Sequence, residues 1–314
     1  MKYLVLGGAG FIGSHFVDRL LKEQEAKVTV VDNFFLGNMK NLEDALSYNK
    51  KIKIYKEDAA NTLSLNNIIH LEKPDIIINF ATKALLYSFE NPAEAFNVNN
   101  QIIINLLEAL RLKKYQRLLH ISTSEVFGSA VCEKINEDHP LLPETTYAAG
   151  KASADLAIRS YLNMFDLDVL VLRPFNNYGP RQNREALAAI IPVTIMRILD
   201  KKEPIIEGDG LQTRDFIYVK DTVHIIKKFI DHPHILKEKF YNIGSGIETN
   251  ILSLVTEISN LMGFKGNFLY KPKRSADVQR HLADTSRLKA AIKDIPLTPF
   301  SYGLSQTIEW YKKH

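Results

Sequence analysis

Residues 2–14 read KYLVLGGAGFIGS, and this stretch decides the fold. Residues 3–6 are an apolar run long enough for a buried strand. The run passes into Gly7, Gly8 and Gly10, with Gly13 a helical turn further on. From there Phe11, Ile12, Phe16, Val17, Leu20 and Leu21 recur at helical spacing. Strand, glycine turn and helix together form the context that a dinucleotide site requires. Glycines let the backbone approach a pyrophosphate closely, and a helix start offers free N–H groups at the positive end of its dipole. Gly7, Gly10, Phe11, Ile12 and Gly13 are therefore candidate cofactor-binding residues.

Working outward, residues 27–31 are apolar and β-branched and end in Asp32, about twenty residues beyond Gly13. A carboxylate at that strand tip accepts hydrogen bonds from an adenosine ribose and repels a 2′-phosphate. Asn33, Phe34 and Phe35 follow, with no arginine to receive such a phosphate, which points to NAD over NADP. Residues 51–55 alternate and lead to Asp58, a third strand whose acid can meet the adenine amino group. Residues 75–80 read as a fourth, buried strand, with residues 79–82 at its carboxyl end, where ligands bind in open parallel sheets. Pro92 opens a long helix to about Lys113, and residues 117–121 form a fifth strand that delivers Ser122, Thr123, Ser124 and Glu125 into a loop. Thr145 or Thr146 caps a helix to about Phe165, and residues 167–172 form a sixth strand.

This alternation predicts an α/β doubly wound parallel sheet. After Arg173 the rhythm changes. Residues 173–181, RPFNNYGPR, read as a loop, and residues from about 185 to 201 as a helix. Short loops carry Gly208, Gly210, Arg214, Asp215 and Phe216. Residues 221–231 are helical and residues 240–244 extended, a return to the sheet. The final helix contains Ile308, Trp310 and Tyr311. The expected organisation is a Rossmann domain over residues 1–173, with returning segments near 215–245, and a smaller, interleaved lobe over residues 174–314 that binds substrate.

Composition sets bounds. A chain of 314 residues, 46% hydrophobic and 24% charged, can bury a large core and is ordinary for a soluble enzyme. The net charge of +4 is small for this length and gives no sign of a nucleic-acid partner. The single cysteine, Cys132, excludes an internal disulfide and a multi-cysteine metal site, and fits a reducing cytoplasm. Met1 leads directly into the first strand, so no signal peptide is expected, and no apolar run approaches the roughly 18 residues of a membrane span.

The chemical pair is Tyr147 and Lys151, one helical turn apart and so on one face. An ammonium beside a phenol favours the phenolate and lowers the tyrosine pKa from about 10 toward neutrality. A general base matched to a sugar hydroxyl results.

With these residues in place, the chain resembles the extended short-chain dehydrogenase/reductase family, and within it the nucleotide-sugar epimerases, dehydratases and decarboxylases. The resemblance rests on the glycine string, Asp32, the Ser122–Thr123–Ser124–Glu125 segment and the Tyr147/Lys151 pair. It continues through RPFNNYGPRQ at 173–182, GDGLQTRDFIYVKD at 208–221, YNIGSG at 241–246, and Arg274, Asp277, Val278, Ala283 and Asp284. It implies that Thr123 hydrogen-bonds the sugar 4-hydroxyl, that Tyr147 removes its proton while C4 gives hydride to NAD⁺, and that Lys151 holds the ribose. It further implies that Asn33, Asp58, Ala59, Phe80, Ala81, Thr82, Asn99 and Pro174 line the cofactor. Asn176, Arg214 and Arg274 match positions that hold a sugar diphosphate, a task suited to the guanidinium fork. No metal is implied.

Glu125 bears on which reaction follows oxidation. A 4-keto group acidifies the C5 proton, and an adjacent carboxylate can remove it and help expel the C6 hydroxyl. Thr–Ser–Glu looks like the 4,6-dehydratases and the UDP-glucuronate decarboxylases, whereas dTDP-glucose dehydratases typically show Thr–Asp–Glu. Here Ser124 replaces that acid. The leading expectation is a 4,6-dehydratase acting on a UDP-hexose, with UDP-N-acetylglucosamine the first candidate, in which Glu125 collects the C5 proton and delivers it to the leaving oxygen. A decarboxylase would need a cation near the C6 carboxylate, for which Lys83 and Arg181 are the candidates. A 4-epimerase and a non-catalytic NAD-binding module are the remaining alternatives. Three departures from the family stand out: Phe127 for a usual Tyr, Gly150 for a common Ser, and Asn79–Phe80–Ala81–Thr82 for His-Leu-Ala-Ala. The helices near 93–113 and 145–165 lie side by side in this family, from which a homodimer is expected.

Overall fold

A computed structural model describes residues 1–22, 26–48, 52–185, 187–273 and 275–314. The chain divides into two units. The first comprises residues 1–123 and 145–172, the second residues 124–144 and 173–314, so the chain leaves and re-enters the first unit before committing to the second.

In the first unit, β1 (Lys2–Leu6) leads to α1 (Phe11–Leu21), β2 (Lys27–Asp32), α2 (Glu43–Tyr48), β3 (Lys53–Lys56) and α3 (Thr62–Glu72). Then come β4 (Ile76–Asn79), α4 (Pro92–Arg111), β5 (Arg117–Ile121), α5 (Thr146–Met164) and β6 (Val169–Pro174). β6 runs across the division, and its last two residues belong to the second unit. The sheet order β6-β5-β4-β1-β2-β3 is that of a Rossmann fold, and each of these neighbouring pairs is parallel. β4 is buried along its whole length and β1 from its second residue, as a parallel sheet covered on both faces requires. The order reverses between β1 and β4. The loops after these two strands meet there: a Cβ on Gly7, whose φ is +71°, would lie 2.7 Å from the Ala81 nitrogen. That meeting is the crevice at the switch point.

The second unit opens with the segment through residue 144 and resumes at the end of β6. It contains β7 (Asn176–Tyr178), α6 (Ile190–Leu199), β8 (Ile205–Glu207), β9 (Thr213–Tyr218), α7 (Val219–Asp231) and β10 (Phe240–Ile243). β11 (Glu248–Asn250), α8 (Ile251–Leu261), β12 (Leu269–Lys271), α9 (Ser286–Ala291) and α10 (Phe300–Lys313) complete it. β9 pairs antiparallel with β11 and parallel with β7. Two stretches read as loops are therefore strands. Residues 173–181 supply the end of β6 and all of β7, and Arg214, Asp215 and Phe216 lie in β9. The sixth helix starts at Ile190, later than the sequence suggests, and Ala186 lies outside the described residues, as does Lys51 before β3. The buried Asp215 carboxylate organises this unit, accepting the backbone N–H groups of Ser245 (2.7 Å), Gly246 (2.9 Å) and Ala283 (3.2 Å).

α4 and α5 pack along each other in the first unit, and at Gly150 their backbones approach closely. A Cβ there would sit 2.8 Å from the Phe96 carbonyl oxygen and 3.0 Å from its Cα. The serine common at this position in the family has no room in this chain. Alanine gains about 1 kcal/mol of helix propensity over glycine, but overpacking against backbone costs about 1–3 kcal/mol. The clash wins. Gly150→Ala is expected to lower unfolding stability by about 1–2 kcal/mol in denaturant titration. An unchanged or raised midpoint would contradict this packing.

Candidate active site

The phosphate cradle is built by exclusion of side chains. At Gly13 a Cβ would overlap the Gly7 carbonyl oxygen. Gly10, the N-cap of α1, donates its N–H to that same oxygen at 3.1 Å and brings no capping side chain. Among the described residues no side chain caps the first-turn N–H groups at Phe11, Ile12 and Gly13, and uncapped N–H groups at a helix start are suited to an anion. No acid occupies this first turn to compete.

Asp32 ends β2 beside this loop and is buried. Its carboxylate accepts the Ala9 N–H at 2.9 Å and the Phe34 N–H at 2.8 Å. Burial raises its pKa and these backbone bonds oppose the rise. A carboxylate has about four acceptor sites, so capacity remains for ribose hydroxyls. Asn33 donates to Asp58 at 3.2 Å, which joins the ends of β2 and β3, and Ala59 follows directly. Asn99 on α4 accepts both the Thr82 hydroxyl (2.9 Å) and the Lys83 N–H (2.8 Å), pinning the loop that carries Phe80 and Ala81. A glycine cradle, an uncapped helix start and a ribose acid with no arginine beside it fit NAD.

Lys83 shows what the sequence alone did not. Its ammonium is paired with Glu94 at 2.8 Å and lies 3.8 Å from the Phe35 ring centroid and 4.8 Å from that of Tyr87. Glu94 stands in the first turn of α4, where an acid reads simply as helix-dipole compensation.

Thr123 leaves β5 in a buried position, and Tyr147 sits in the first turn of α5, which Thr145 caps through the Ala148 N–H at 3.2 Å. Lys151, one turn on, is buried and donates to the Ile121 carbonyl at 2.8 Å. Its charge thereby ties the start of α5 to the end of β5. Burial pushes the ammonium down to about 8, against an opposing pull from the carboxylate of Asp155.

In the second unit, Ser124 and Glu125 follow Thr123 directly and open a single 3₁₀ turn, Ser124–Phe127. Ser124 is buried, and the Glu125 side chain is 16% exposed, its carboxylate 3.9 Å from His281. Pro174 ends β6, and Asn176 in β7 donates to the Asp215 carbonyl at 3.4 Å. Arg181 adopts a left-handed φ of +66°. Arg214 in β9 is already engaged by Asp277 (2.8 Å) and by the Val278 carbonyl (2.6 Å), so its fork arrives oriented. Arg274 lies outside the described residues. His281 and Asp277 are partners distant in sequence that local spacing could not reveal. Among the described residues no helix is long and apolar enough to cross a membrane.

A family model described as GDP-mannose 4,6 dehydratase matches residues 4–307. The chain belongs to this family. Its members here are extended short-chain dehydrogenase/reductase enzymes of nucleotide sugars. A UDP-glucose 4-epimerase of Mycolicibacterium smegmatis is 31% identical over 314 residues, covering 99% of each chain. A dTDP-glucose 4,6-dehydratase of Actinoplanes is 32% identical over 321 residues, covering 99% of this chain and 98% of that protein. Among solved structures, the dTDP-glucose 4,6-dehydratase of Streptomyces venezuelae with NAD and TYD bound has a TM-score of 0.92. It is 29% identical, covering 100% of this chain and 97% of that one. The family's NAD-binding members thus share the fold in which the cradle above is found.

The buried lysine makes a measurable signature. Its folded pKa of about 8 lies below the unfolded value of 10.5, so between these pH values the unfolded chain holds a proton that the folded chain has released. Stability therefore rises with pH across that window. Relative to Lys151→Met, the wild-type apoprotein should gain about 2 kcal/mol between pH 8.0 and 9.5 in denaturant titrations. Parallel curves for the two proteins would contradict the buried, desolvated ammonium.

Proposed function

We propose that the protein is an NAD-dependent nucleotide-sugar 4,6-dehydratase acting on a UDP-hexose, with UDP-N-acetylglucosamine the first substrate to try. Identity to an epimerase and to a dehydratase is nearly equal, 31% and 32%, and does not separate the reactions. The observation that carries the reading is Glu125, a largely covered carboxylate two residues past Thr123. A 4-epimerase has no use for such an acid.

Bound NAD⁺ supplies a hydride acceptor for C4 and returns that hydride later in the cycle. Thr123 hydrogen-bonds the 4-hydroxyl, and Tyr147 takes its proton. Lys151 holds the base in place and favours its ionised form. The resulting ketone acidifies C5–H. Glu125 removes that proton, and the C5–H pair forms a C4–C5 double bond as the carbonyl pair moves onto the C4 oxygen. When this enolate collapses, the C4 carbonyl returns, a C5–C6 double bond forms and the C6–O bond breaks, Glu125 giving its proton to the C6 oxygen, which leaves as water. Asn176 and Arg214 hold the diphosphate end of the substrate, with Arg274. A UDP-glucuronate decarboxylase is the weaker reading: of the two cations it could use, Lys83 is already paired with Glu94, which leaves Arg181 alone for the task.

We place the enzyme in the cytoplasm, consistent with its one free, exposed cysteine, Cys132. We also propose a homodimer formed through α4 and α5; the exposed apolar residues Leu156 and Met164 of α5 suit an apolar contact. Sedimentation at micromolar concentration should give twice the 35.7 kDa chain mass, and a monomer throughout would refute the dimer.

The reaction is tested with Glu125→Gln. The variant should still oxidise C4, seen as reduced nicotinamide absorbance on adding UDP-hexose, while elimination falls about 100-fold or more. Normal formation of the 4-keto-6-deoxy product would overturn the role of Glu125.

A further inference from the structure

The 3₁₀ turn Ser124–Phe127 is followed by Gly128, whose N–H donates to the Glu125 carbonyl at 3.2 Å. Gly128 has a φ of +64°, and a Cβ there would overlap the Leu142 carbonyl oxygen, so only glycine fits. Its own carbonyl is thereby fixed, and it lies 2.9 Å from Nε2 of His281. A carbonyl can only accept, so Nε2 carries the hydrogen and Nδ1 presents a lone pair. His281 is wholly buried, and burial lowers its pKa to about 3, with the nearby Arg214 charge adding to the effect. The ring is neutral near neutral pH. Nδ1 is buried without a hydrogen-bond partner among the described residues, and the nearby charged group it faces is the Glu125 carboxylate at 3.9 Å.

Two acceptors facing each other gain nothing; a protonated carboxyl in the same place would hydrogen-bond to Nδ1 after a small approach. We infer that His281 is a positioning residue whose Nδ1 accepts the proton-bearing oxygen of Glu125 while that proton is in transit from C5 to the C6 oxygen. The inference rests on the dehydratase reading for its place in the cycle, though the pair itself does not. The other charged or titratable groups acting on His281 are Arg214, whose charge disfavours a proton on the ring and which is itself paired with Asp277 at 2.8 Å, and His139. The ring nitrogens of His139 are committed to the Val131 N–H (3.1 Å) and the Pro140 carbonyl (2.8 Å). The Phe175 ring meets His281 edge-on at 5.7 Å and closes the apolar side.

The test titrates Glu125 directly, by ¹³C NMR of protein labelled at glutamate carboxyls, with Glu125→Gln to assign the signal. His281→Gln keeps a donor near the Nε2 position and loses the Nδ1 acceptor; His281→Asn keeps an acceptor near Nδ1. The Glu125 midpoint should fall by about one pH unit or more in His281→Gln and stay near wild type in His281→Asn. The pH profile of elimination should shift with it, its rate falling about tenfold at unchanged C4 oxidation. Should the variants not fold, ¹⁵N NMR of wild-type His281 replaces them, since the Nδ1 shift must follow the Glu125 midpoint. An unmoved Glu125 titration in His281→Gln, or an Nδ1 shift flat across it, overturns the inference. A coupled titration in a protein that yields only a C4 epimer would instead overturn the dehydratase reading and leave the pair standing.

Discussion

A buried ammonium spends its charge on a backbone carbonyl: Lys151 to Ile121, 2.8 Å, with the side chain almost wholly out of water. Burying a lysine is costly, and burial lowers its pKa to about 8. What the arrangement secures is register. α5 begins under a threonine cap and carries Tyr147 in its first turn, while β5 ends two residues before Thr123. One hydrogen bond ties the two elements at the level where both chemical groups emerge. Gly150, next in sequence to Lys151, allows the same helix to lie against α4 at backbone contact. α4 in turn holds the loop after β4 through Asn99. The first unit is thus a chain of close approaches made possible by small residues and buried polar bonds.

Much of this was legible in the sequence. The glycine string, Asp32 and the strands of the first unit each follow from a local pattern, because a strand buried on both faces needs an unbroken apolar run and a phosphate turn needs glycines. β7 and β9 escaped because their residues, Asn176–Tyr178 and Thr213–Tyr218, are polar or aromatic without clean alternation. Their extended form is set by pairing with each other, not by local preference.

Within the site, residue types were readable and partners were not. Lys83 is a cation in the sequence, yet Glu94, Phe35 and Tyr87 surround it in the fold. Arg214 arrives held by Asp277. Gly150 reads as the loss of a serine contact and turns out to be a place with no space for one. His281 carries no signal in its own segment; its meaning depends on a carbonyl and a carboxylate more than a hundred residues away.

The proposed dehydratase cycle turns oxidation into elimination through the covered carboxylate of Glu125, two residues past Thr123 in the chain. It is tested most directly by incubating the protein, NAD and UDP-N-acetylglucosamine or UDP-glucose in deuterated water and following the sugar by NMR. The dehydratase cycle predicts a product that has lost both the C6 hydroxyl and its original C5 hydrogen. A product inverted at C4 that keeps its C6 oxygen and its original C5 hydrogen would contradict it.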